Sequence, residues 1–549
     1  MRKPFLTHVG TLLVLTAACN PLDLDPKDQI SDASFWKTPE QFRLAANDFY
    51  YSLRGAHNYT EINSDIATGS GSGGEMQSVS NGSYLPAANS PLWDDSYAGI
   101  RSTNYLLTKA AASGLGTQID RWVGEALFFR AYHYWNLVKT YGGVPLITKV
   151  LDVTSPEIYT PRATQQEVID FIIADLDSAT PKLLKQSDLT ASEMSRVTQG
   201  AALALKARAA LYQGTWLKYQ GGGAPTPMLT NAINAARQLM ASNQYRVFTD
   251  SGPLSYKHLF ILGGDDSREV ILARRYYAGR ATHNWTRELW FNYMIPTKKL
   301  ADMYLCTDGL PITNSPLFQG YDSLMTDEYQ NRDPRMAMTF IVPGSTRFGE
   351  VGLDTVYPGF AGTTATRTGY MIRKFLDETK EAAQFQGQYD FKEVRYGEVL
   401  LILAEALYER DGTISDADLN ETIKPLRARA GMPDSSSLTN AFVTSHGLDM
   451  RTEIRRERTV ELAFEGFRRE DLRRWKTAET EMPQALRGVM FTGTEYQQRD
   501  TTNVPVDVNG FVIAEPASAR QFLPKHYLDP IPLQQIQLSR GTLTQNPGW

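Results

Sequence analysis

Residues 119–145 read IDRWVGEALFFRAYHYWNLVKTYGGVP. Apolar side chains recur along them at three- and four-residue spacings, with small Ala126 beside large Phe129 and Tyr132. That period is helical, and small residues facing large ones let antiparallel helices approach closely. Gly142-Gly143 and then Pro145 stop the helix, since glycine takes a left-handed cap and proline cannot continue the turn. The same texture returns in Ala204, Ala207 and Ala210 with Leu203 and Leu211. Working outward, the period predicts a helix over 39–53 and four helical hairpins. The first pairs 93–112 with 119–140, and the second pairs 165–178 with 198–219. The third is 230–242, packed on its neighbours, and the fourth pairs 391–410 with 415–430. Trp93, Tyr97 and Asn104 belong to the packing of the first pair. Tetratricopeptide arrays, whose period is about 34 residues, are built this way; here the pairs are irregular and interrupted.

The fold class expected is therefore mainly α, with four irregular tetratricopeptide-like pairs and a loop-rich insertion carrying short β-strands. The insertion is rich in Gly, Pro, Thr and Tyr and has β-like stretches at 269–273 and 338–342. A Gly-, Ser- and Asn-rich loop over 55–91 is long for a compact domain, and such loops are usually functional. From 449 to 475 a charged helix carries Glu453, Arg456, Glu457, Glu461 and Glu465 at spacings suited to ion pairing along one helix. The chain divides as 1–18, 19–34, 35–245, 246–390 and 391–549.

The composition is that of a folded globular protein: 549 residues, 42% apolar, 21% charged, with a net charge of −5. A negative chain whose basic residues are interleaved with acids lacks the basic face that nucleic acid requires. The cysteines are Cys19 and Cys306. With Cys19 otherwise engaged no internal disulfide forms, and Cys306 between Leu305 and Thr307 reads as a small buried hydrophobe.

Arg2 and Lys3 precede an apolar stretch strongest from Val9 to Ala18, and Ala17-Ala18 stand before Cys19. This is a signal peptide in layout, too short to remain in a membrane. Leu15-Thr16-Ala17-Ala18-Cys19 resembles a bacterial lipobox with the leucine one position early. Cys19 is thus the expected lipidation site. Several acyl chains, at about 0.8 kcal/mol per buried CH₂, anchor stably. Asp23, Asp25 and Asp28 resemble the surface-export signal of lipoproteins in the Bacteroidetes phylum. Residues 19–34 form the tether.

Four segments together resemble the SusD/RagB family of outer-membrane nutrient-binding lipoproteins, in that family's order. One is Gly124-Glu125-Ala126-Leu127-Phe128-Phe129-Arg130-Ala131-Tyr132, continuing to Tyr141-Gly142-Gly143-Val144-Pro145. Another is Val394-Arg395-Tyr396-Gly397-Glu398 with Ala404-Glu405-Ala406. The third runs Ile454-Arg455-Arg456-Glu457-Arg458, Glu461-Leu462, Glu465-Gly466, Arg468, Asp471-Leu472 and Arg474-Trp475. The last is Pro530-Ile531-Pro532 with Gln545-Asn546-Pro547-Gly548-Trp549, where the family more often ends in Tyr. The resemblance implies a surface-exposed lipoprotein of the bacterial outer membrane. It would capture oligosaccharides and pass them to a SusC-like TonB-dependent transporter, with no bond made or broken. A peptide ligand, as in the RagB branch, and a protein-interaction scaffold without small ligand stay open as alternatives.

Motifs for chemistry are lacking. There is no His-Glu-x-x-His, Gly-x-Ser-x-Gly or Walker loop. Gly69-Ser70-Gly71-Ser72-Gly73-Gly74 fits Gly-x-Gly-x-x-Gly in form only, and Asp416-x-Asp418-x-Asn420 departs from a calcium loop at Glu421 and Arg427. No cofactor or metal is expected. The residues that stand out are the aromatic and polar series Tyr276, Tyr277, Arg280, His283, Asn284, Trp285 and Trp290. Aromatic faces cover the C–H face of a sugar ring, and Asn and Arg bond its hydroxyl rim. Tyr59, Asp65, Glu75 and Tyr84, in the Gly/Ser loop, form the second candidate wall.

Overall fold

The computed structural model describes residues 32, 34–57, 59–70, 74–321, 323–348, 353–362, 365–377, 385–500 and 502–549. The leader, Cys19 and most of the tether lie outside them. The fold is mainly helical. Helix α1 (Pro39–Asp48) opens on a capping box at Thr38 and Gln41. Four long helices follow: α2 (Pro91–Ser113), α3 (Asp120–Tyr141), α4 (Gln165–Ala179) and α5 (Gln199–Gln220). Each packs on the next, as the small-against-large pattern requires, and α6 (Thr226–Ala241) packs on α5. Ala126, Ala204, Ala207 and Ala210 are all buried at these seams.

The partner of α6 on its other side is α7 (Tyr396–Asp411), reached only after the whole insertion. The two helices of that pair thus flank about 150 residues of irregular chain, a pairing the local period could not show. The helix expected over 391–410 begins five residues late: Phe391–Arg395 is a strand, antiparallel to Val270–Arg274. Residues 338–342 are not a strand but the end of helix Pro334–Thr339 and a single bridge from Phe340 to Ile372. The loop over 55–91 also contains structure: strand Ala67–Gly69, paired with Met294–Pro296, and helix Gly74–Ser80.

After α8 (Asp416–Ala430), the charged helix is two helices, α9 (Met450–Glu461) and α10 (Arg468–Arg474). Between them Phe464 takes φ 65° and Gly466 φ 88°, and the chain reverses. The expected intrahelical pairing holds for Glu453 with Arg456 alone. Glu457, Glu461 and Glu465 pair across elements instead. Glu461 accepts from Arg395 (2.8 Å), Arg335 (2.9 Å) and Arg429. Glu457 joins Arg335 (2.6 Å) to Arg427 (2.8 Å), and Glu465 joins Arg395 (2.7 Å) to Lys374 (2.8 Å). Glu269 closes the circuit on Arg395 at 2.9 Å. Every side chain in it is at most 6% exposed. Burial alone pushes the Glu461 carboxyl up, but Arg429, Arg395 and Arg335 outweigh it and hold it well below its ordinary value.

The other signature residues stitch the fold. Asn546 donates to Tyr141 O (3.0 Å) and Asp529 O (2.6 Å), and Arg162 donates to Gly143 O (2.7 Å), so the C-terminus closes over the end of α3. Cys306 is buried, as expected. One apolar core runs through the helices; a second lies in the insertion and includes Trp285, Tyr304 and Phe340, with Ile62 from the early loop and Phe464 from the reversal.

Removing one member of a buried ion pair costs roughly 3–5 kcal/mol. Glu461→Ala is expected to lower unfolding stability by about that amount in urea titration, whereas Glu40→Ala, which breaks the exposed pair with Arg43, leaves the midpoint unchanged. The sign in pH follows: because Glu461 ionises more readily folded than unfolded, its contribution is present above about pH 4.5 and is lost as pH falls further.

Candidate functional site

The strand Val270–Arg274 delivers the aromatic series to the surface. Beyond it the chain turns tightly: Tyr277 N donates to Ala281 O at 2.7 Å, and Gly279 supplies φ 72°. His283 then exchanges two backbone bonds with Gly387 (3.0 and 2.9 Å), and helix Trp285–Trp290 follows. The facing wall is the chain that leaves α1. Ala56 N donates to the Tyr276 hydroxyl at 3.0 Å, Asn284 N donates to His57 Nε2 at 3.1 Å, and Tyr59 bonds Glu288. A side chain at Gly55 would meet Tyr276 Oη at 3.0 Å, so the two walls touch here backbone to ring.

This geometry sorts the candidates. Tyr277 is 49% exposed, and Arg280 is exposed beside it. Tyr276, Asn284 and Tyr59 are half-buried and hold the walls together; Asn284 Oδ1 accepts from Phe385 N at 3.1 Å. Trp285 is 1% exposed, covered by His57 stacked over it (26°, 6.3 Å) and by Tyr59 edge-on (5.1 Å). It supports the face from beneath and cannot itself stack on a ligand. Trp290 and His283 are likewise buried. Asp65 is buried and held at 2.8 Å by both ends of the Arg468 guanidinium. Tyr84 packs on Trp549 and bonds Asp529. These two are structural. The Glu75 side chain lies outside the described residues.

What the sequence reading missed is the opposite lip. The helix expected over 39–53 ends at Asp48, and a 3₁₀ turn (Phe49–Ser52) rotates Tyr51 outward until it is 78% exposed. Tyr51 and Tyr277 line one groove of about 510 Å³, together with Asn47, Asp48, Arg274 and Ser192. Arg274 is fixed by donating to Leu53 O at 2.9 Å. Grooves of roughly 300–1,000 Å³ take small ligands. Two exposed rings with amide, carboxylate, hydroxyl and guanidinium groups can cover the C–H faces of a sugar chain and bond its hydroxyls. Among the described residues no cluster of His, Cys, Asp and Glu could hold a metal ion.

Comparison with known proteins gives the groove a context. Residues 263–549 match the model of the SusD family, and residues 41–211 match a model described as starch-binding associating with outer membrane. SusD-like protein P38 of Formosa agariphila is 28% identical over 289 residues, 48% of this chain and 52% of that one, so the match spans about half the relative's length. The crystal structure of a SusD-like carbohydrate binding protein from Bacteroides fragilis superposes with a TM-score of 0.76, at 24% identity over 93% of this chain and 99% of that one. A laminarin binding SusD-like protein superposes with a TM-score of 0.59, at 20% identity over 93% of this chain and 99% of that one. These solved structures share the fold.

Within the wall, burial lowers the His283 imidazole to about 4. Its Nε2 faces Tyr389 O at 3.1 Å and its Nδ1 accepts from Trp285 N at 3.2 Å, the arrangement of a neutral ring. The unfolded chain takes up this proton first, so the wall loses stability as pH falls below about 6.5 and the loss levels off below about 4. An NMR titration is expected to show His283 neutral and protonated on Nε2 down to about pH 5; a midpoint near the ordinary value contradicts the buried geometry.

Proposed function

The chain belongs to the SusD family, and from that premise we propose that it binds glycans in the groove between Tyr51 and Tyr277. It does so as a lipoprotein anchored through Cys19 to the outer membrane and facing outward, and it delivers the glycan to a SusC-like TonB-dependent transporter. The observation that carries the reading is the pair of exposed tyrosines across a 510 Å³ groove. Around them stand polar groups that bond hydroxyls. Binding is by stacking and hydrogen bonding, at an affinity low enough for the ligand to be handed on.

The family context supports the ligand class: one matching model is described as starch-binding, and the superposed proteins include carbohydrate and laminarin binders. The same model's outer-membrane association agrees with the lipobox. Among the described residues no helix is long and apolar enough to cross a membrane.

The test is affinity electrophoresis of the mature chain through neutral plant, host and microbial polysaccharides. At least one is expected to retard it. Each stacked ring contributes on the order of 1 kcal/mol, so Tyr51→Ala with Tyr277→Ala is expected to weaken binding about tenfold or more. Trp285→Ala is no test of contact, since that ring is buried and its loss damages the wall. Retardation by none of the panel, with a folded protein, moves the reading to peptides.

A further inference from the structure

A second groove lies on α9 and is independent of the first. It has a volume of about 400 Å³ between Lys299 and Asp302 on one side and Arg455, Arg456, Trp475 and Glu481 on the other. Its charged lining is four cations (Lys299, Arg455, Arg456 and Arg468) and two carboxylates (Asp302 and Glu481).

The excess persists when the pairs behind the lining are included. Arg468 is matched by Asp65, Arg456 by Glu453, Lys299 by Glu481 and Asp302 by Lys298. Among the described residues Arg455 pairs with Glu409, at 3.3 Å, with Asp449 farther off. The buried Glu409 carboxylate also serves Lys218 at 2.7 Å and Arg451 at 3.2 Å. Three cations share Glu409, and Asp449 also faces Arg451 and Arg455, so this cluster keeps one positive charge in excess. Of the three, Arg455 lines the groove, in a chain whose net charge is negative. Arg455 is held in place by the rings of Trp475 (4.7 Å) and Tyr219 (5.0 Å), so little entropy is lost when it binds an anion.

We propose that this groove is a second ligand site, for the anionic groups of a polysaccharide: carboxylates of uronic acids or sulfate esters. A guanidinium fork matches both anions. The remaining lining favours a sugar chain over a protein partner. Thr452, Thr459 and Thr477 line the groove with hydroxyls, and its apolar lining is Met303 and the edge of a buried Trp475. A protein interface needs an apolar core. The site stands on its own residues and does not depend on glycan capture at Tyr51 and Tyr277.

The probes are polygalacturonate, dextran sulfate and neutral dextran, in affinity electrophoresis of the intact mature chain. At least one polyanion is expected to retard the protein and neutral dextran not to, with retardation weakening as salt rises. Which polyanion acts separates carboxylate from sulfate. Lys299→Gln with Arg455→Gln removes two cations of the groove lining while Glu409 keeps Lys218 and Arg451. This variant is expected to bind about fivefold or more weakly while keeping the circular dichroism spectrum of the folded chain. Tyr51→Ala with Tyr277→Ala is expected to bind the polyanion as wild type does. Absence of retardation by either polyanion, or equal retardation of wild type and the cation variant, overturns the proposal.

Discussion

The charge circuit around Glu461 is the constraint on which the rest of the structure depends. Five carboxylates (Glu269, Asp333, Glu457, Glu461 and Glu465) and five cations (Arg335, Lys374, Arg395, Arg427 and Arg429) meet out of water. Each charge is costly to bury alone and tolerable only with its partners in place. The partners come from the insertion (Glu269, Asp333, Arg335 and Lys374), from the strand Phe391–Arg395, and from α8, α9 and the reversal after α9. None of these segments can shift without stranding a charge, so the insertion is held to the helical scaffold although its own secondary structure is sparse.

The groove follows from that clamp. Glu269 and Arg395 lie at one end of the strand pair Val270–Arg274 and Phe391–Arg395, so the strand that carries Tyr277 outward starts from a fixed point. The facing loop is tied to the same region. Glu61 accepts N–H bonds from Gly466 (2.8 Å) and Phe467 (3.1 Å), and Asp65 holds Arg468. Burial raises the Glu61 carboxyl to about 7 even against those bonds. One side of the site therefore rests on Arg395, and the other on the turn that Phe464 and Gly466 make possible. The aromatic rings beneath, Trp285 above all, fill the space between these supports.

The long helices were legible because a burial stripe repeats every three to four residues, and α2 to α6 and α8 match the expected spans to within a few residues. The failures have local causes. In Phe391-Lys392-Glu393-Val394-Arg395 the alternation of a strand runs directly into a helical period, and the helical signal masked it. The charge spacing from Glu453 to Glu465 is the same whether the partners lie along one helix or across several elements, so only tertiary structure revealed the circuit. For the site, the richness of 274–293 in aromatic residues marked a segment that lines the groove but not its exposed rings. Trp285 faces inward and Tyr277 outward, and composition carries no information about face. Tyr51 was hidden because the period continued past Asp48 while the backbone tightened into a 3₁₀ turn.

The central claim is that the lips carrying Tyr51 and Tyr277 close on a glycan. Hydrogen–deuterium exchange, with and without a saturating oligosaccharide cut from the polysaccharide that retards the protein, tests it most directly. The account predicts slowed exchange in residues 44–53 and 274–281, and none in the buried strand Phe391–Arg395, which exchanges slowly in either state. Unchanged exchange at both lips, or protection confined to another face, contradicts it.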